Sequence, residues 1–237
     1  MKPALYLLPG LLCDATVWRA QVEHLSDIAD VRVPDYGDAN RMSEMAQVVL
    51  DTAPDSFSLA GHSMGARVAL EVVRLAPDRI VRLALLDTGV HGVKPDERQK
   101  RMRLVEIARK QGMAALCEAW LPPMVHPARR KDEAFLKPLR TMVEGFTPER
   151  FAAQIEALLM RPDTGPALAA VEGAPLIGVG REDEWSPVDQ HRDILTRLGR
   201  GRLAIFEEAG HMAPFEAPQS VNSALREWFE TARGKYV

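Results

Sequence analysis

Cysteine is almost missing from this chain: Cys13 and Cys117 are the only two in 237 residues. So few, so far apart, make no disulfide framework and lack the spacing of a metal site. Long apolar runs are missing as well, and none approaches the ~20 residues that a membrane-spanning helix needs. The opening stretch MKPALYLLPGLL is apolar only as far as Pro9-Gly10, and no small-x-small cleavage site follows. It therefore reads as a first core strand rather than a leader. An excess of one charge is lacking too: 30 Lys and Arg stand against 33 Asp and Glu, a net charge of −3. Bulk electrostatics gives no reason to expect nucleic acid. There are no internal repeats and no low-complexity linker. These absences lead us to expect a cytoplasmic protein that engages neither membrane nor nucleic acid. They leave its oligomeric state open.

What the chain does contain is enough apolar material for a core, 46% of its residues, on a length that suits one large domain or one domain with an insertion. Short runs rich in Leu, Val and Ile each end in a turn signal. They cover 4–8, 30–33, 57–60, 81–86, 174–179 and 202–206. Runs this short and apolar on both faces suit a buried parallel sheet. Helical patterns alternate with them at 18–25, 43–52, 64–75, 189–198 and 214–232. The expected fold is α/β, a mostly parallel sheet of about six strands with helices on both faces. Alternation fails from 92 to 173, where only helical patterns occur, broken by Pro122-Pro123, Pro127, Pro138, Pro148, Pro162 and Pro166. That stretch is expected to be a helical insertion into a core made of 1–91 and 174–237.

The segment FSLAGHSMGARVAL places Ser63 in Gly61-His62-Ser63-Met64-Gly65, where a strand gives way to a helix. Gly-x-Ser-x-Gly in that context is the pattern of a strained turn that lifts a serine hydroxyl out of a sheet's carboxyl edge. A side chain at Gly61 or Gly65 would strike the neighbouring strand or helix, and the helix amides supply positive potential beside the serine. A serine needs a base, and the base needs an orienting acid. Both follow in order at later strand ends: Asp183 in GREDEWSP and His211 in EEAGHMAPFEAP. Glu182 and Glu184 flank Asp183, and Asp87, at the end of run 81–86, is a rival acid. His62 adjoins Ser63, but neighbours on a sharp turn point apart, so it reads as lining or structural. His91 and His126 are candidates for the pocket border or for ordinary surface positions.

An oxyanion needs two donors. The amide of Met64 is one candidate. The other is that of Leu11, with Gly10 letting the backbone of the Pro9–Asp14 loop turn. Apolar lining is expected from Trp120, Pro122, Met124, Phe146 and Trp185. Residues 94–110 carry seven Lys or Arg against three Asp or Glu. That run suits either a solvated helix face or a meeting with an anionic substrate or acyl carrier.

Taken together, LLPGLLCDATVW, FSLAGHSMGARVAL, LALLDTG, APLIGVGREDEWSP and EEAGHMAPFEAPQSVNSALREWF resemble the α/β-hydrolase superfamily, its serine-nucleophile, esterase-like branch. The resemblance implies a triad of Ser63, Asp183 and His211, an oxyanion hole at Leu11 and Met64, and a helical cap over 92–173. Many members have His-Gly where this chain has Pro9-Gly10. The two opening strands of larger members have no counterpart here. Serine in place of aspartate argues against the dehalogenase and epoxide-hydrolase branches. The implied activity is hydrolysis of a small carboxylic ester, a small-molecule acyl substrate, with no metal or organic cofactor. Thioester, lactone and carbon–carbon cleavage are rivals on the same triad, the last usually with Asn where this chain has His62. A non-catalytic ligand-binding or receptor protein on the same fold is the reading from another class.

Overall fold

The computed structural model describes residues 2–231. Six strands form one sheet: β1 Ala4–Leu8, β2 Asp30–Arg32, β3 Phe57–His62, β4 Ile80–Leu86, β5 Leu176–Gly180 and β6 Arg202–Phe206. Their spatial order is β2-β1-β3-β4-β5-β6 and every pairing is parallel. This is the α/β architecture expected from the alternating pattern, with strand ends shifted by at most two residues. Central strands β1, β3 and β5 are buried at every position, as their mainly apolar sequences require, with Ser58 and His62 the polar exceptions in β3. At the edges, β2 and β6 are partly exposed, and there Asp30, Arg32 and Arg202 are tolerated.

The crossovers are α1 Ala15–Leu25, α2 Met42–Thr52, α3 Met64–Leu75 and α7 Val188–Leu198. Helix α1 packs with the C-terminal α9 Pro218–Glu230, and α2 packs with α3. The long final helix expected over 214–232 is instead a short α8, Ala213–Glu216, followed by α9. Pro218 stands at the first position of α9, where its missing N–H costs nothing. Ala232 lies outside the described residues.

Between β4 and β5 the chain is helical, with α4 Glu97–Trp120, α5 Glu133–Glu144 and α6 Pro148–Leu159. Helix α4 is interrupted at Gly112, whose φ of 87° and ψ of 173° lie outside the helical region. Pro148 opens a helix rather than breaking one. Pro138 does not break the pattern either: it sits inside α5. There it forfeits one hydrogen bond, and the helix is held by burial of Leu136, Leu139, Met142 and Val143.

Candidate active site

Three sheet edges meet at one point. Ser63 follows β3 directly, Asp183 lies in the loop after β5, and His211 lies in the loop after β6. In a parallel sheet all three loops open at the carboxyl edge. Ser63 has φ 54° and ψ −114°, a conformation a non-glycine residue adopts only when its surroundings impose it. What imposes it is close packing. A Cβ on Gly65 would lie 2.2 Å from the Leu8 carbonyl oxygen, and one on Gly61 would lie 2.5 Å from Ala66 Cα. The glycines supply room, and the serine itself carries the strain. Its amide donates to Leu86 O and its carbonyl accepts from the Thr88 hydroxyl, tying the turn to β4.

Ser63 Oγ lies 2.7 Å from His211 Nε2, and His211 Nδ1 lies 2.8 Å from Asp183 Oδ2. With Nδ1–H donating to the carboxylate, Nε2 is left to accept the serine proton. The other Asp183 oxygen accepts from the amides of Trp185 and Ser186, each at 2.8 Å. Burial pushes the Asp183 carboxyl up, but the neighbouring His211 and these donated hydrogen bonds outweigh it and hold the group below the ordinary range. Asp183 therefore stays ionised beside an imidazole.

Asp87 is fully buried, and its Oδ1 accepts from the Gly180 amide while Oδ2 has no hydrogen-bond partner among the described residues. Burial first, then the nearby charge of Asp183, raises its pKa well above the usual carboxylate value. Its nearest histidine nitrogen is His62 Nε2, at 3.9 Å. The hydrogen-bonded acid beside His211 is Asp183, not this rival. His62 Nε2 donates to the His211 carbonyl at 2.7 Å, so it braces the histidine loop from below. Burial holds its imidazole neutral, with a pKa near 3.

Leu11 and Met64 both line the cavity that Ser63 and His211 border. The backbone twist in the first loop falls at Leu12, with φ 56°, rather than at Gly10. Gly10 is needed for space, since a Cβ there would sit 2.9 Å from His62 Nδ1. The Leu12 amide donates to Gln154 Oε1 at 3.0 Å, a buried bond that pins this loop to α6.

The cavity measures about 310 Å³ and is lined on the α4–α6 side by Trp120, Met124, Leu158 and Arg161. Trp185 also lines it and is half exposed. Phe146 does not line it, contrary to expectation. It borders a separate cleft of about 720 Å³ beside Tyr36 and Gln154, with the Arg150 guanidinium 5.4 Å from its ring centre. That larger cleft holds none of Ser63, Asp183 or His211. Pro122 is likewise absent from the lining around Ser63. Helical spacing fixes a periodicity but not which face meets which cavity, hence both misplacements. His91 does border the cavity, whereas the His126 ring accepts from Ala128 N and lies 3.8 Å from Glu182.

Sequence reasoning missed Arg67. It is buried in the cavity wall with only 7% of its surface exposed. Its signal was present: a cation four residues after Ser63, one turn into the helix that the serine opens. Among the described residues, no group of three or more His, Cys, Asp or Glu is placed to hold a metal ion.

Comparison with known proteins agrees with this architecture. An (E)-2-((N-methylformamido)methylene)succinate hydrolase of Acinetobacter baylyi is 24% identical over 96% of this chain and 90% of its own length. A biotin biosynthesis bifunctional protein BioHC of Cellvibrio japonicus is 23% identical over 97% of the chain, which spans about half (48%) of that relative. Among solved structures, a thermophilic esterase from Thermogutta terrifontis, studied with malate bound, superposes with a TM-score of 0.87 at 27% identity. That match covers 97% of this chain and 90% of the esterase. The family model described as "Alpha/beta hydrolase family" matches residues 5–224, and the chain therefore belongs to the alpha/beta hydrolase family.

Proposed function

We propose that this protein is a serine hydrolase that cleaves a small carboxylic ester by two-step acyl transfer. The observation that carries the reading is the unbroken relay from Ser63 Oγ to His211 Nε2 at 2.7 Å and from His211 Nδ1 to Asp183 Oδ2 at 2.8 Å. In the first step His211 takes the Ser63 proton as the oxygen attacks the ester carbonyl. Asp183 holds the imidazole in the required tautomer and stabilises its charged form. The amides of Leu11 and Met64 receive the developing oxyanion. Among the described residues neither makes a hydrogen bond that would have to be broken first. His211 then hands the proton to the leaving alcohol. A water, deprotonated by the same imidazole, releases the acid from Ser63. None of these steps uses a metal or an organic cofactor.

Residues 92–173 act in this proposal as a cap, with α4 and α6 closing the cavity over Ser63. Thioester, lactone or carbon–carbon substrates would use the same relay, and a ligand-binding receptor would have no use for it. A series of p-nitrophenyl esters tests the reading. Wild-type protein is expected to turn over short-chain esters, and Ser63→Ala to lose about 10⁴-fold or more of kcat. Substantial esterase activity in pure Ser63→Ala protein would refute it. Saturable ligand binding by the wild type without turnover would favour the receptor.

A further inference from the structure

The cavity around Ser63 carries more positive charge than its own carboxylates answer. Three arginines converge on it: Arg67 from α3, Arg101 from α4 and Arg161 from the segment after α6. Two of them, Arg101 and Arg161, share one carboxylate, Glu97. Arg161 binds it through both terminal nitrogens at 2.7 Å, and Arg101 Nε binds it at 2.7 Å. The remaining carboxylates of the lining are engaged elsewhere. Asp96 pairs with Lys100 and Glu184 with Arg130, while Asp87 is buried, its pKa raised well above the carboxylate range.

Arg67 is the odd one. Its only acceptor among the described residues is the His91 carbonyl, 2.9 Å from Nη1, and no carboxylate lies within ion-pair distance. Burial, followed by the charge of Arg161, lowers its pKa to about 9, so it remains a cation at neutral pH. Its Nε and Nη2 are not among the buried atoms left without a partner, so they are open to the cavity, where an anion can complete the fork. Arg101 adds a second fork whose terminal nitrogens have no acceptor among the described residues, its guanidinium 5.9 Å from the Trp185 ring centre. The planar fork of arginine matches a carboxylate bidentately. Arg67 stands one helical turn beyond Ser63, about 6 Å along the α3 axis, and both side chains border the same 310 Å³ cavity.

We propose that Arg67, with Arg101 beside it, forms a carboxylate-binding subsite, so that the substrate is an ester bearing a free carboxylate a short arm from the bond that is cut. This rests on the serine-hydrolase reading for the bond cleaved, but not for the anion bound. The arginines hold the charged end, which sets the distance from carboxylate to ester carbonyl at Ser63.

The test compares esters that differ mainly in charge: monoethyl succinate against ethyl pentanoate, and acetoxyacetate against propyl acetate. At least one anionic member is expected to exceed its neutral counterpart in kcat/KM by about 10- to 100-fold, through KM, the factor that charge-assisted hydrogen bonds supply. In Arg67→Gln that ratio is expected to collapse towards one, and Arg67→Lys to restore part of it. In parallel, succinate is titrated calorimetrically into Ser63→Ala protein, where saturable binding is expected, and into the Ser63→Ala, Arg67→Gln double variant, where it is expected to vanish. If esters are hydrolysed with no anionic preference in either pair, the subsite is wrong and the hydrolase reading stands. If no ester is hydrolysed yet succinate binds in an Arg67-dependent way, the subsite stands and the hydrolase reading falls. Inorganic phosphate binding more tightly than succinate would overturn the choice of carboxylate. Should the Arg67 variants fail to fold, the wild-type ester pairs and the Ser63→Ala titration decide.

Discussion

At the scale of single residues, the two buried aspartates behind the histidine make different predictions. Asp183 is ionised and accepts from His211 Nδ1, so Asp183→Asn presents the wrong partner to the imidazole. That change is expected to lower kcat by about 10⁴-fold while leaving the fold intact. Asp87 is pushed towards its neutral form, and the hydrogen bond its Oδ1 accepts from Gly180 N survives in an amide. Asp87→Asn is therefore expected to keep turnover close to wild type. Purified variants assayed on one p-nitrophenyl ester separate the two, and the reverse ranking would move the acid to Asp87. Both aspartates follow apolar runs in the sequence, so pattern alone left them as rivals, and only the 2.8 Å contact from His211 to Asp183 distinguishes them. Arg67 was overlooked for another reason: α3 carries Arg67, Glu71 and Arg74, and the sequence does not say which of them faces a cavity.

Among elements, the junction of β1, β3 and α3 depends on backbone contact. Gly65→Ala would put a methyl carbon 2.2 Å from a β1 carbonyl that cannot yield. Such overpacking is expected to cost about 3 kcal/mol or more, read as a drop in the denaturation midpoint; a variant melting like wild type would contradict the packing argument. The link between α6 and the first loop is a second test. Gln154→Leu removes the acceptor of a buried Leu12 amide and is expected to cost about 1–3 kcal/mol. Because that loop carries the Leu11 amide, kcat should fall with it, with KM changing less. The strands, α3 and the strand-end loops were legible because apolar runs and turn residues alternate there. The helices of 92–173 were legible as helices but not in orientation. Phe146 and Pro122 were therefore expected in the cavity and lie elsewhere.

For the whole molecule, stability against pH reflects opposing buried groups. His62 and His191 are buried neutral, their pKa values lowered by burial to about 3 and about 4. As pH falls below 6.5 the unfolded chain takes up protons that these folded imidazoles refuse, which destabilises the fold. Asp87 and Glu216 act oppositely, because burial raises both, Glu216 to about 7. They keep protons that the unfolded chain has lost above its ordinary carboxylate range, which favours the fold as pH falls. The contributions offset one another between pH 6.5 and 4.5, so wild-type stability is expected to be nearly level there. His191→Gln removes one acid-labile group, and its amide oxygen can still accept from Thr88 N. It is expected to gain on wild type by about 1.4 kcal/mol per pH unit as pH falls through that window, measured by urea denaturation. A difference independent of pH would mean that His191 titrates normally.

The central claim concerns Ser63, and covalent trapping interrogates it most directly. Wild-type protein treated with a fluorophosphonate at neutral pH is expected to gain one adduct, mapped by peptide mass spectrometry to Ser63, with ester hydrolysis lost in proportion. His211→Ala should label far more slowly. An unlabelled Ser63 in folded protein, or an adduct on another residue that accounts for the lost activity, would contradict the account.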